Sequence, residues 1–555
     1  MTPAEIHALA AGVDGARMMC NLAELARWVK LSGTPEEAQS LAFLRGVLDG
    51  CGYRTAVLEH DAFISLPGPA RVEVDGSALR AITHSMSRAS PPGGLAGRLV
   101  HVGEGTESDF GRAGDLRGCI VLAEGIASPA VADRATRAGA AGQLHASPHG
   151  HLHEMCVSPV WGSPSPGTEA SLPATVACTV SRADGEVLIG RLARGEAPDV
   201  VLHAAVDTGW RRTPILVAEM DAPGAAPDAP FVLFSGHHDT WYRGVMDNGA
   251  ANATMLEVAR LCATRRDGWR RGLRLCFWSG HSHGRYSGSA WYADEHWGEL
   301  ERRCAAHVNV DSTGAAGASV LEEAPSSAEL SALAAEALRE EADAAHARRR
   351  MDRSADQSFW GIGVPSLFAT FSQQPHDPSV KMRNSLGWWW HTPEDLLDKI
   401  SPENLARDTR VYVHAVARLL ADPALPLDHA AQAAALGAEL RKVAPGCAAR
   451  GVALDGLLGA VAALREEAAA GGPRGDASLM RASRALVPLD YTRGDRFGHD
   501  PALPLPPWPV LEPLRRLAAA EAGGGEAKLL AVGARRARNR VAEAVARARG
   551  ALRGG

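Results

Sequence analysis

FVLFSGHHDTWYRGVMDNGA, Phe231–Ala250, reads as a short apolar strand that ends at a glycine, then a polar turn, then the start of a helix. Three later stretches share its texture: LRLCFWSG (273–280), AAHVNVD (305–311) and VPSLFAT (364–370). Between the first two strands, residues 252–261 carry Met255, Val258 and Leu261 at helical spacing. Strands alternating with helices predict an α/β domain with a mainly parallel sheet, and such sheets put their chemistry at the carboxyl ends of the strands.

Those ends hold the residues that matter. His237 directly follows the first strand, and Asp247 lies ten residues on, before the helix. Asp311 ends HVNVD, and His391 sits in WWWHTPEDLLDKI. Imidazole and carboxylate donors are what zinc and the neighbouring first-row metals bind in catalytic sites. One histidine after a strand is usually structural, but four such residues at strand ends of one domain predict a metal site. The second strand ends in FWSGHSHGRYSGS (277–289), which adds His281, Ser282 and His283 to the same edge.

Outward from this core the texture changes twice. Residues 1–62 read as helix followed by the strand GYRTAVLEH, which is expected to stop near Pro67, and are grouped with 203–422. Residues 63–202 read as short strands and Gly/Pro turns, with GDLRGCIVLAEG (114–125) feeding a strand and RATRAGAAGQLHAS (134–147) a helix closed by glycines. Residues 423–555 are Ala-, Leu- and Arg-rich and helical by periodicity, the last helix carrying Val541, Val545, Ala548 and Leu552 on one face. Its arginines read as solvated surface.

Three domains suit 555 residues. With 46% apolar and 22% charged residues, a formal charge of −6 and a pI near 6.4, the chain is an ordinary globular protein with no signature of nucleic-acid or anionic-membrane binding. The N-terminus lacks the basic-then-apolar pattern of a signal peptide, and no run of about 18 apolar residues occurs. A cytoplasmic location is expected, and nine cysteines without a CxxC pair fit reduced thiols.

GHHDTWYRGVMDNGAAN, the strand before SGHSHGRYSGS, NVDST and HTPEDLLDKI follow the order and wording of the co-catalytic zinc peptidases, a family that includes bacterial aminopeptidases, glutamate carboxypeptidase II and the transferrin receptor. Residues 63–202 resemble its protease-associated insert, and the C-terminal helices resemble the dimerisation domain of the carboxypeptidase branch. The resemblance implies that His237 and Asp311 hold one metal, His391 the other, and Asp247 bridges them. It also implies a homodimer and one or two divalent metals per chain, zinc first, with manganese or iron as alternatives.

The sequence departs from the family at the expected general base. Two adjacent glutamates follow the second strand in that family, and His281 and Ser282 stand there. Trp390 stands where the carboxypeptidase has a tyrosine that polarises the substrate carbonyl. A neutral imidazole can carry one proton at neutral pH, so His281 is read as a replacement base. Equally open is a ligand role for His281 or His283, which would rebuild the second site.

Trp161, Trp390, Ser282 and Arg383 are the substrate-binding candidates, with Lys381 a second nearby cation. The histidines of HASPHGHLHEMC (145–156) are read as an exposed polar loop. The expected function is metal-dependent hydrolysis of an amide or peptide bond in a small molecule or short peptide. The alternatives are another metal-dependent reaction on this fold, or a receptor-like binding protein without turnover.

Overall fold

The computed structural model describes residues 1–371, 373–378, 380, 385–470 and 474–554. Its framework is one mixed sheet of eleven strands. They are β1 (Arg54–Val74), β2 (Ser77–Thr83), β3 (Leu95–His101), β4 (Ile120–Glu124), β5 (Gly142–Ala146), β6 (Val176–Val180), β7 (Asp199–Met220), β8 (Phe231–His237), β9 (Gly272–Trp278), β10 (Cys304–Asn309) and β11 (Ser366–Leu367). The order is β1-β2-β6-β5-β4-β3-β7-β9-β8-β10-β11, with β1 also paired to β7.

Two long strands join the halves. β1 and β7 run antiparallel from Arg54↔Glu219 to Val74↔Val200. At their far end, β2, β6, β5, β4 and β3 close the ring between them around a separate core that includes Val72, Leu122, Leu144, Cys178 and Leu202. At their near end, β7 pairs antiparallel with β9, and β9, β8, β10 and β11 are parallel neighbours. β1 therefore continues past Pro67, where the sequence pattern suggested a stop. The ladder absorbs the proline at a register shift between Pro67 and Ala70, and a bulge tolerates the missing N–H. The helix expected from Arg134 begins earlier, at Pro129, and ends at Arg137. Gly139, at φ 72°, turns the chain into β5, so QLHA is strand.

Helix Ala251–Ala263 buries Met255, Val258 and Leu261 against the sheet, as their spacing predicts. The N-terminal stretch forms three helices, Pro3–Ala10, Gly15–Leu25 and Pro35–Gly50. The C-terminal stretch forms five, including His429–Ala448 and the long Gly525–Arg553, whose buried face contains Val541, Val545, Ala548 and Leu552. One continuous core runs from Ile6 through the parallel strands to Leu552, so these helices pack into the α/β half. Arg549 and Arg553 pair with Glu467, which accounts for two of the terminal arginines as intramolecular surface contacts. Among the described residues no helix is long and apolar enough to cross a membrane.

Candidate metal centre

Three adjacent parallel strands deliver their last residues to one edge. His237 closes β8, the Gly280–Ser282 turn follows β9, and Asp311 follows β10. The turns that carry them are tight. Gly280 has φ 77°, and a Cβ there would lie 2.0 Å from Ser287 Oγ; Gly244, at φ 49°, would place one 2.3 Å from the Asp247 carbonyl oxygen. Only glycine fits either position. Asp247 lies in the irregular turn Val245–Ala250, and its bond to Asn248 is cis. Asn248 and Asn252 both donate to the His237 carbonyl, and Ser312 N donates to Asn248 Oδ1, which locks β8 and β10 at this end.

Asp247 stands between two imidazoles. Its Oδ1 is 2.9 Å from His237 Nε2 and its Oδ2 is 2.9 Å from His391 Nε2. Asp311 Oδ1 lies 3.8 Å from His237 Nε2. Both rings have their other nitrogen on a main-chain carbonyl: His237 Nδ1 on Asp239 at 2.8 Å and His391 Nδ1 on Glu154 at 2.6 Å. A carbonyl only accepts, so each Nδ1 carries the proton, and a neutral ring then points its Nε2 lone pair at a carboxylate oxygen.

Two lone pairs 2.9 Å apart repel unless a cation lies between them. His237 Nε2 and Asp247 Oδ1 are buried and make no aligned hydrogen bond. Burial disfavours a charged His237, yet Asp247 and Asp311 outweigh it and hold the ring well above its ordinary pKa; burial likewise opposes Asp247 ionisation, and His237 and His391 outweigh it. The site thus attracts positive charge, and His237, His281 and Asp311 place ligand atoms within 4.8 Å of one another. This donor set, with His237 Nε2 and Asp247 Oδ1 buried and unpartnered, fits a divalent metal of the zinc type.

His281 lies flat on His237, with ring centroids 3.7 Å apart and planes at 13°. Its Nδ1 is 2.7 Å from Asp356 Oδ2. Asp356 Oδ1 accepts from Ser289, which contacts Ser358, and Trp161 Nε1 donates to Ser358 Oγ at 2.9 Å. Asp239 fixes the turn itself by accepting from the backbone N–H groups of His281 and Ser282. His283 belongs to a different environment. Its Nδ1 is 3.0 Å from Ser32 Oγ, its ring packs on Trp241, and it is not part of the ligand cluster.

The His391 side is assembled by the β-rich half. Glu154 gives its carbonyl to His391 Nδ1 and receives its own N–H bond from the His391 carbonyl at 3.0 Å, holding a residue with φ 59°. His153 Nδ1 contacts the Trp390 carbonyl at 2.5 Å, His149 and His153 meet at 3.1 Å, and His151 stacks on Trp388. The histidine loop, read from sequence as exposed and polar, is therefore a packed buttress, with His153 buried. Burial lowers His153 to about 3, so it stays neutral. Among the described residues no further His, Cys, Asp or Glu joins Asp247 and His391 in a ligand cluster.

A cavity of about 320 Å³ opens on the cluster. Its walls include Trp241, Ser282, Trp390 and the ligand candidates, together with Arg285 and Arg353. Trp390 stacks on His391 at 3.6 Å. Trp161 does not line the cavity; it is buried behind it, against Tyr286 and Ser358. Arg383 and Lys381 lie outside the described residues. Sequence reasoning missed Asp239, Glu154, Arg285, Arg353 and Asp356. Asp239 and Arg285 stand inside the motifs already singled out, whereas Arg353 and Asp356, in MDRSADQSF, gave no sequence signal.

Residues 216–416 match the family model described as Peptidase family M28, a match that supports the resemblance to the co-catalytic zinc peptidases. Over 353 residues the chain is 22% identical to probable glutamate carboxypeptidase AMP1 of Arabidopsis thaliana, covering 52% of this chain and 50% of that protein. A 92-residue stretch is 29% identical to aminopeptidase NAALADL1 of Mus musculus, covering 16% of this chain and 12% of that protein. The matches thus span half or less of these curated relatives. Among solved structures, a Peptidase M28 precursor from Shewanella amazonensis SB2B is similar with a TM-score of 0.59 at 20% identity, over 75% of this chain and 95% of that one. An aminopeptidase from Aneurinibacillus sp. strain AM-1 gives 0.56 at 21% identity, over 75% and 96%. These structural likenesses establish a shared fold.

Proposed function

We propose that the cavity hydrolyses an amide or peptide bond in a small substrate, with a divalent metal held by His237, Asp247 and Asp311 and a proton carried by His281. The observation that carries this reading is the pair of imidazole lone pairs turned onto Asp247. A bound metal supplies Lewis acidity and lowers the pKa of a water from 15.7 to about 7. Three protein ligands leave a position open for chemistry.

The chain's own residues then position the substrate and move the proton. Asp356 takes the His281 Nδ1–H, which fixes the tautomer and leaves Nε2 free to accept a proton and return it to the leaving amine. Asp239 keeps the His281–Ser282 turn in place through two backbone bonds. Trp241 and Trp390 form an apolar wall that limits water around the reacting bond. The usual pair of glutamates is absent, so His281 supplies basicity without adding negative charge.

Domain roles belong to the same reading: residues 63–202 as a protease-associated insert that overhangs the site, and 423–555 as a dimerisation-like domain. The Glu154 and His153 contacts to the His391 segment support the first. The test is a panel of aminoacyl, N-acyl and dipeptide amides with the zinc-loaded protein and with His281→Ala. Turnover that falls about 10²–10⁴-fold in the variant, with metal content unchanged, is expected of a proton carrier. Loss of metal together with activity would make His281 a ligand. Absence of turnover across the panel by metal-loaded protein would favour a binding protein without catalysis.

A further inference from the structure

Asp247 sits in the turn between β8 and helix Ala251–Ala263, and that turn leaves part of its backbone to be paired from outside. Val245, Met246 and Asp247 present three successive N–H groups, and one residue accepts from all three. It is Asp395, through its carbonyl oxygen at 3.2 Å, its Oδ1 at 2.8 Å and its Oδ2 at 3.1 Å. Successive N–H groups in a turn form a concave anion seat, filled here by a buried carboxylate. Asp395 lies four residues after His391, so it ties the Asp247 turn to the segment that carries the second imidazole.

The other end of the turn is held by the opposite charge. Lys30 is buried, and its ammonium donates to the carbonyls of Arg243 at 3.1 Å, Leu25 at 3.3 Å and Trp28 at 3.4 Å. Its main chain adds a bond from Thr240 N at 2.8 Å, and Arg243 Nη1 donates to the Ala26 carbonyl at 2.7 Å. Lys30 comes from the N-terminal stretch, outside residues 216–416. Burial lowers it to about 8, opposed by the fields of Asp395, Glu37 and Asp239, so the ammonium persists at neutral pH. Burying either charge is costly unless its hydrogen bonds are made. The division of labour follows donor chemistry. An ammonium only donates and takes the carbonyl end of the turn, whereas a carboxylate only accepts and takes the N–H end.

We infer that Lys30 and Asp395 are positioning residues that clamp the Asp247 turn from its two ends and so set the shared carboxylate between His237 and His391. Neither lines the cavity, so both act through Asp247, whose oxygens stand 2.9 Å from each imidazole. The inference rests on the proposed metal-dependent function only where zinc or turnover is the readout, because the clamp itself is a property of the backbone.

The experiment compares Lys30→Met and Asp395→Asn with wild type, by hydrogen exchange in the metal-free proteins and by zinc affinity against a competing chelator. Lys30→Met keeps the length of the side chain and removes its donors. Asp395→Asn keeps the size and turns an NH₂ group against a backbone N–H. Exchange in the peptide covering 243–250 should quicken at least tenfold in both variants, although Lys30 bonds none of those amides, while β8 and β10 keep wild-type protection. The zinc dissociation constant should rise about 10–100-fold. With zinc saturating, kcat should fall about tenfold and KM stay within about twofold, since neither side chain meets the substrate. Lys30→Arg, which keeps the charge at a different reach, should be intermediate and covers the case in which Lys30→Met fails to fold. Unchanged exchange over 243–250 in both variants would overturn the inference, as would a loss of protection spread evenly over the sheet. Quickened exchange in Asp395→Asn alone would remove Lys30 from the clamp. Wild-type protein that takes up no zinc would sink the metal reading, and the exchange result would still decide the clamp.

Discussion

The two oxygens of Asp247 face differently built surroundings. On the Oδ1 side, the donors His237 and Asp311 arrive from the adjacent strand ends of β8 and β10, and His281, after β9, lies beside them as the proposed proton carrier. On the Oδ2 side there is, among the described residues, one imidazole, His391, and its orientation comes from Glu154 and His153 in the β-rich half. The first position has enough donors to hold a metal by itself. The second is a two-donor position whose geometry depends on packing between the halves. Ligand number separates a tight site from one that a substrate or a second ion completes.

Substitutions can break this contrast in order of severity. Asp247→Asn removes the carboxylate charge that both sides share; elemental analysis should show the metal lost and turnover down by about 10³-fold or more, near 4 kcal/mol in the barrier. Asp356→Asn leaves every proposed ligand in place but removes the carboxylate that orients His281. A fall of about 10–100-fold in kcat with metal retained is expected, and loss of metal instead would show that His281 is a ligand.

Glu154 probes the His391 side through pH. Burial raises its carboxyl to about 7, against the reference near 4.3 of an unfolded chain. The folded state therefore keeps a proton that the unfolded chain has released between those values, so this group's contribution is full below about pH 4 and is lost as pH rises through about 7. Glu154→Gln stays neutral and can still accept from the Tyr242 hydroxyl. Thermal unfolding of the metal-free proteins should show the variant gaining on wild type from pH 5 to pH 8, by on the order of 2 kcal/mol. The smallest effect is expected from Trp161→Phe, which removes one buried bond to Ser358 while keeping an aromatic ring: about 1 kcal/mol in denaturant unfolding, with little change in turnover.

Much of this was legible in the sequence because strand ends carry local signals. FVLFSG and LRLCFW announced β8 and β9, and His237, Asp247, Asp311 and His391 meet around one point. Other features depend on contacts between residues far apart in the chain. Asp356 and His281 are 75 positions apart, and Glu154 and His391 are 237 apart, so neither partnership leaves a periodic trace. β1 ran through Pro67 because a bulge absorbed it, which composition alone cannot reveal. The histidine loop looked exposed because its residues are polar, yet Trp388 and Trp390 cover it. Arg285 was present in the motif from the start, but its lack of a partner shows only in three dimensions.

The most direct test of the contrast is metal content per chain, measured on protein prepared without chelator or nickel, for wild type, His391→Ala and Asp311→Asn. About one tightly held equivalent is expected in the wild type, retained in His391→Ala and lost in Asp311→Asn, because the strand-end position carries its own ligands. Two tight equivalents falling to one in His391→Ala would contradict this account and mean that the Oδ2 side is a complete site in its own right.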